Sequence, residues 1–208
     1  GSSAAAIVAA LVAANELCGC PLDRSALLRI GARVEGHPDN VVPALVGGAT
    51  VAILDEGNVR WCALNVPDLQ VVLLVPDCAI STRDARRLLP ALVSRGDAVY
   101  NVGRTALLVA ALSNGCVEML QYALDDRLHQ PYRETLFPGM RSIFAAAVEA
   151  GAFGAFLSGA GSTLVALCDG AAQRVAGGME AQAQALGMSA HAVVTAVSQT
   201  GATVVEKE

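Results

Sequence analysis

Aromatic side chains are scarce in this sequence: phenylalanine, tryptophan and tyrosine together make up 4% of 208 residues. Yet 54% of the chain is apolar, so alanine, valine and leucine must build its core. Side chains that small pack where helices lie close against a sheet, and a chain this apolar is the opposite of a disordered one. The length suits one large domain or two small ones. Basic clusters are missing too. The formal charge is −5 at pH 7, which argues against nucleic acid or an anionic membrane as the main partner. An anionic substrate must then be held by a few placed arginines, backbone amides and a metal ion.

Long hydrophobic runs are also absent. The longest, Ala4 to Ala14, is too short to span a bilayer and ends in Asn15-Glu16. No basic start marks a signal peptide, so a soluble, cytoplasmic protein is expected. Six cysteines occur without a CxxC pair, and Cys18-Gly-Cys20 lacks the spacing of a zinc half-site. Free, mostly buried thiols are expected, with no disulfide framework. There is no initiator methionine. Gly1-Ser2-Ser3 runs directly into a helix, and although such a start can be a cloning scar, the chain reads as lacking an N-terminal part.

The spacing of Ile7, Leu11, Ala14 and Cys18 predicts a helix over 2–18, apolar nearly all round and therefore buried. Gly19 and Pro21 stop it. Asp23 caps a second helix with Leu27, Ile30 and Val34 on one face, and Gly36 ends it. A short helical turn follows over 41–46, broken by Gly47-Gly48, and then come strands over 49–54, 59–64 and 71–75. Ser81-Thr82 caps a helix bearing Arg83, Arg86 and Arg87. Helices are expected over 96–112, 116–124, 140–150 and 171–186, with strands over 153–157, 163–168, 191–197 and 202–205. Strands and helices alternate without a regular βαβ period, so the fold class is α+β. The chain divides near Pro67.

Four constellations could carry chemistry. Gly1-Ser2-Ser3 enters an alanine-rich helix whose unpaired amides and positive dipole end suit a phosphate, and a serine hydroxyl there can reach Mg²⁺. The plainer alternative is that Ser2 or Ser3 is an N-cap. Glu35-Gly36-His37-Pro38-Asp39-Asn40 fans carboxylates, an imidazole and an amide from a kinked path. Equally, Glu35 could be a solvated helix end and Asp39 or Asn40 a cap. Arg83 or Arg86 and Arg133 are candidates for a bidentate carboxylate clamp, or plain surface residues. Ser158-Gly159-Ala160-Gly161-Ser162-Thr163 lets backbone approach a phosphate closely, but it lacks a Walker lysine.

Taken in this order, the segments resemble the GHMP kinases, the family of galactokinase, homoserine kinase, mevalonate kinase and phosphomevalonate kinase. Gly1-Ser2-Ser3-Ala4-Ala5 is similar to the end of the family's second motif, and Ser158 to Thr163 to its third. Glu35 to Val41, with Pro43-Ala44-Leu45 and Gly47-Gly48, is the most specific stretch and resembles the homoserine kinase branch. Asp126 with Gln130-Pro131-Tyr132-Arg133 and Phe137-Pro138-Gly139 is similar to a further block.

The resemblance implies a two-domain fold: residues 1–66 as the rear of the ATP-binding domain and 67–208 as a complete C-terminal α+β, ferredoxin-like domain. It implies ATP and Mg²⁺ as cofactors and L-homoserine as substrate, with a homodimer common in the family. Gly1, Ser2, Ser3, Ala4, Ser158, Gly159, Ala160 and Gly161 would bind ATP phosphates. Ser3 and Glu35 would hold the metal. His37, Asp39 and Asn40 would line the homoserine site, with Arg86 and Arg133 clamping its carboxylate. Ser3, Glu35 and Asn40 would be catalytic. Two departures stand out: Ser162 occupies a position that is usually proline, and the family's N-terminal part is absent. Relatives similar to mevalonate kinase carry an aspartate where Asn40 lies, so the resemblance implies in-line transfer without a strong general base. Two rivals remain: another GHMP small-molecule kinase, or an inactive family member acting only as a folded or oligomerising module. A P-loop or Rossmann binder is excluded because neither glycine pattern has its partner residues.

Overall fold

The computed structural model describes residues 1–78 and 82–205, with only the backbone described over 82–84. Two compact units emerge: Gly1–Asn65 together with the stretch from Val197 onward, and Val66–Ala196. The first opens with helix α1 (Ser2–Leu17), followed by α2 (Arg24–Glu35) and α3 (Val41–Val46). Asp23 caps α2 through its carboxylate, which accepts from the Ala26 amide at 2.7 Å. Gly36, left-handed at φ 91°, closes that helix through its N–H to the Ala32 carbonyl. Ala4 and Val8 of α1, Leu27 and Leu28 of α2, and Val41, Val42 and Leu45 of α3 share one core. Close approach depends on Gly31, where a Cβ would stand 2.7 Å from the Val41 side chain. That contact brings the end of α2 beside the starts of α1 and α3.

Strands β1 (Ala49–Asp55) and β2 (Asn58–Leu64) form an antiparallel hairpin in register from Ala49↔Leu64 to Asp55↔Asn58. Its two turn residues, Glu56 and Gly57, both take positive φ, as a turn matched to strand twist requires. The chain returns to this unit after residue 196, where the Ser198 carbonyl accepts from Gly48 and the Ala202 amide donates to Ala44. No strand forms over 202–205, contrary to the sequence reading.

The second unit runs β3 (Gln70–Pro76), α4 (Thr82–Arg87), α5 (Arg95–Asn114), a 3₁₀ turn at Val117–Met119, α6 (Leu120–Ala123), α7 (Gln130–Arg133), α8 (Met140–Glu149), β4 (Gly154–Leu157), β5 (Leu164–Cys168), α9 (Ala172–Ala185) and β6 (Ala190–Ala196). Its sheet order is β4-β5-β3-β6, with every neighbouring pair antiparallel. Helix α8 lies between β3 and β4 in sequence, and α9 between β5 and β6. Each joins two parallel strands separated by one other, the split βαβ arrangement of ferredoxin-like domains. Val72, Leu74, Leu164 and Ala166 of the sheet meet Ile143, Ala147, Val175 and Met179 of α8 and α9 in one core. The α+β expectation holds. The helix expected over 116–124 is instead a 3₁₀ turn followed by a single α turn.

Two expectations about burial are corrected. Only Ala4 and Val8 of α1 are buried, and Leu17 is 89% exposed, so the helix is not enclosed. It packs on α2 and α3 along one side, and its alanines elsewhere face outward among the described residues. The cysteines are free, but Cys18, Cys20, Cys62 and Cys78 are exposed and only Cys168 is buried. They sit at the end of α1, on the open hairpin and after β3, where little covers them. The Cys20 thiol donates to Glu16 at 3.0 Å, which raises its pKa. In native protein, Cys18, Cys62 and Cys78 are therefore expected to react rapidly with a thiol reagent, Cys20 more slowly, and Cys168 only on unfolding. Six thiols titrating at one rate would contradict this burial pattern. No helix among the described residues is long and apolar enough to cross a membrane.

Candidate active site

In the first unit, the three helix ends gather the expected polar residues. The Ser3 hydroxyl donates to Glu35 Oε1 at 2.6 Å. No side chain caps α1, so Ser2 and Ser3 do not act as N-caps. Gly1 is placed against Asn40, whose Oδ1 lies 3.3 Å from where a Gly1 Cβ would be. Asn40 begins α3 without capping it. His37 Nδ1 lies 2.5 Å from Asp39 Oδ1, which also accepts from the Asn40 amide at 2.9 Å. Asp39 keeps 65% of its side chain exposed and His37 30%, so the pair is presented and not sealed. Gly1, Ser3, Glu35, His37, Asp39 and Asn40 thus form one constellation. Ser2 makes no described contact in it. A carboxylate and a hydroxyl brought together this closely are hard oxygen donors suited to a cation such as Mg²⁺. Groups of three or more His, Cys, Asp or Glu side chains able to hold a metal do not occur among the described residues, so other oxygens would have to complete a shell.

The second unit gathers the rest. Arg133, at the end of α7, is 8% exposed and donates through one terminal nitrogen to the Gly159 carbonyl, while its Nε has no partner. Burial depresses its pKa, the Asp126 charge opposes that, and nearby Arg86 adds to the depression. Of the two arginines, Arg133 is the one held against the Ser158–Gly161 loop, and Arg86 lies near enough for its charge to act on it. Within that loop the Ser158 amide donates to Thr163, and the Gly161 amide to Ser158. Ser162 makes a contact that proline could not: its hydroxyl donates to the Cys78 carbonyl at 2.6 Å, tying the loop to the end of β3. The side chain of Arg83 lies outside the described residues. Gln130–Arg133 form a single helical turn that carries Arg133 at its end.

Sequence reading grouped Asp126 and Gln130 with Arg133 but gave them no role. Both are buried. Asp126 accepts from Asn101 and from the amides of Leu128, His129 and Gln130, all within 3.2 Å. Burial pushes its carboxyl up, but these donors and the His129 ring outweigh it and hold the pKa below the ordinary carboxylate value. Burial lowers the His129 pKa; Asp126 opposes this, and Arg133 adds to it. Asp126 and Gln130 stand in the polar run Asp125-Asp126-Arg127-Leu128-His129-Gln130, where composition does not single them out from their neighbours.

Both shifts have the same sign for stability. A lowered His pKa means that the unfolded chain takes the proton first, so stability falls as pH drops below about 6.5 until the folded imidazole titrates as well. The lowered Asp126 pKa contributes stability that is complete above about 4 and is lost as pH falls through the folded value. Thermal unfolding is expected to weaken in two stages on acidification, and His129→Gln should flatten the upper one. Identical profiles for the variant and the parent between pH 5 and 7 would contradict this.

Residues 1–48 match the GHMP kinases N terminal domain and residues 108–185 the GHMP kinases C terminal. A homoserine kinase from a Synechococcus species is 45% identical over 212 residues, covering 100% of this chain and 69% of its own. The chain belongs to the homoserine kinase branch of the GHMP kinases. The homoserine kinase of Desulfitobacterium hafniense is 44% identical, covering 99% of this chain and 70% of its own. The crystal structure of homoserine kinase from Cytophaga hutchinsonii superposes with a TM-score of 0.84 at 30% identity, over 93% of this chain and 64% of that one. Measured against such relatives, this homoserine kinase-family chain spans 56–70% of their length.

Proposed function

We propose that this chain is part of an ATP-dependent kinase that phosphorylates the side-chain hydroxyl of L-homoserine, forming O-phospho-L-homoserine for threonine biosynthesis in the cytoplasm. The observation that carries the reading is the joining of Ser3 and Glu35 at 2.6 Å beside Asn40 and the His37–Asp39 pair, on a chain similar to homoserine kinases throughout. Residues 1–66 would be the rear of the ATP-binding domain and 67–208 the C-terminal domain, although the stretch from Val197 onward groups with the first unit.

Ser3 and Glu35 would hold Mg²⁺, which when bound neutralises charge on the β- and γ-phosphates. Unpaired amides at the start of α1, from Gly1 to Ala4, receive phosphate oxygens. His37, Asp39 and Asn40 line the homoserine site, Asp39 accepting from its ammonium. Arg86 and Arg133 bind its carboxylate, an anion that offsets first the burial and then the Arg86 charge that together depress the Arg133 pKa. Ser158 to Gly161 would offer backbone amides to ATP phosphates.

The homoserine oxygen forms a bond to the γ-phosphorus as the bond to the ADP oxygen breaks. Asn40 cannot accept a proton, so the hydroxyl proton leaves late, to the transferred phosphate. Positioning and charge neutralisation suffice for a loose transition state. The test is a panel of acceptors (homoserine, serine, threonine, mevalonate and galactose) given to the full-length protein with Mg-ATP. Homoserine is expected to exceed every other acceptor at least about 100-fold in kcat/KM: mevalonate and galactose lack the ammonium, and serine and threonine carry their hydroxyl one carbon nearer the charged groups, out of line with the phosphate. A preference for mevalonate or galactose would assign another GHMP chemistry. An enhanced rate in Asn40→Asp beside a steep loss in Asn40→Ala would overturn base-free transfer.

A further inference from the structure

The buried Asp126–Gln130 pair has no part in the chemistry above, yet it determines where the glycine loop begins. Asp126 gathers the amides of Leu128, His129 and Gln130 and the side chain of Asn101 on α5. The Asn101 carbonyl oxygen in turn accepts from the Arg127 amide at 2.9 Å. The turn leading into α7 is thereby fixed to α5 before the helix begins. Gln130, first in α7, then bridges two elements: its Oε1 accepts from the Leu157 amide at 2.9 Å and its Nε2 donates to the Leu124 carbonyl at 3.2 Å.

Leu157 is the last residue of β4, an edge strand that pairs only with β5 among the described residues. The Gln130 amide takes the N–H that a further strand would have taken, one residue before Ser158. Three positions along the same helical turn, Arg133 donates to the Gly159 carbonyl. One short helix thus grips the strand–loop junction at two points two residues apart, and Asp126 sets the orientation of that helix.

We infer that Asp126 and Gln130 are positioning residues for the Ser158–Ser162 loop and for Arg133, acting on turnover through them without touching substrate. This inference rests on the homoserine kinase reading for its kinetic consequence and on geometry alone for its structural one.

The experiment uses the full-length protein and Gln130→Met, which keeps the volume and loses both hydrogen bonds. Gln130→Glu, which keeps an acceptor for the Leu157 amide, and Asp126→Asn accompany it. Amide hydrogen exchange at Leu157, Ser158 and Gly161 is measured beside kcat, KM for homoserine, KM for ATP and the melting temperature. In Gln130→Met, exchange at Leu157 is expected to rise at least tenfold. Its kcat/KM for homoserine should fall about 100-fold, the cost of an ångström-scale misplacement, with Gln130→Glu recovering part of the loss. Asp126→Asn should loosen the same amides and lower kcat/KM in the same direction.

Native exchange at Leu157 together with wild-type kinetics in Gln130→Met overturns the inference. A lowered melting temperature with unchanged kinetics of the folded enzyme also overturns it, since a purely structural role would show that. If the parent protein fails to phosphorylate homoserine, the functional reading falls, and the exchange data still decide whether Gln130 holds the loop.

Discussion

Glu35→Gln in the full-length protein is expected to lower kcat about 10²- to 10⁴-fold, with apparent affinity for Mg²⁺ weakened and the melting temperature little changed. Glutamine keeps the shape and still accepts from Ser3 Oγ, so the 2.6 Å contact can survive. What is lost is the negative charge. A hard cation prefers a carboxylate over an amide oxygen, and phosphoryl transfer depends on neutralising developing charge at the γ-phosphate. Glu35 is half-buried at the end of α2, and no other hydrogen bond to its side chain is described, so folding has little stake in its charge. Ser3→Ala should show the same direction with a smaller loss, roughly tenfold, because water can replace a hydroxyl ligand. Rates titrated against Mg²⁺ at saturating ATP check this. A Glu35→Gln variant with parental kcat and parental Mg²⁺ dependence would remove Glu35 from the metal site.

Asp39→Asn is expected to raise KM for homoserine by about 10- to 150-fold, the worth of one charge-assisted hydrogen bond of roughly 1.5–3 kcal/mol. The stronger form of the test uses 4-hydroxybutyrate, which keeps the hydroxyl and carboxylate of homoserine but lacks its ammonium. The parent enzyme should discriminate between the two, and Asp39→Asn should lose most of that discrimination. Asp39 also holds His37 and the Asn40 amide, so part of the effect could arise through them. Selectivity between the two acceptors separates the cases: misplacing His37 and Asn40 slows both acceptors, whereas losing the ammonium partner slows only homoserine. Equal losses on both would take Asp39 away from the ammonium.

Much of this fold was legible from residues. Asp23 and Gly36 mark both ends of α2 because capping chemistry is local. The strand read at 71–75 is continuous and apolar, and it is the interior strand β3, covered on both sides by β5 and β6. The errors came where burial depends on distant partners. A helix apolar all round reads as enclosed, yet α1 buries only Ala4 and Val8, since periodicity reports what a side chain is and not what covers it. The cysteines failed in the same way. Cys62 lies in an apolar strand, but its hairpin is open on the exposed side.

The candidate site divides along a similar line. Ser3, Glu35, His37, Asp39 and Asn40 stand out because they are polar residues clustered at glycine and proline turns, and helix packing through Gly31 brings Ser3 to Glu35 across 32 positions. Roles for Asp126, Gln130 and Ser162 were not readable. Asp126 bonds amides two to four residues on, but its Asn101 partner on α5 lies 25 positions back. Gln130 and Ser162 meet backbone groups on β4 and after β3, 27 and 84 residues away, and no spacing rule encodes such pairings.

The most direct test of the account is a ³¹P NMR experiment on the full-length protein with Mg-ATP and one equivalent of L-homoserine. The account predicts a phosphate monoester on the side-chain oxygen of homoserine, formed in equal amount with ADP, and no ADP when homoserine is omitted. ADP released without acceptor, or a phosphoryl group found on any other acceptor in preference to homoserine, would contradict it.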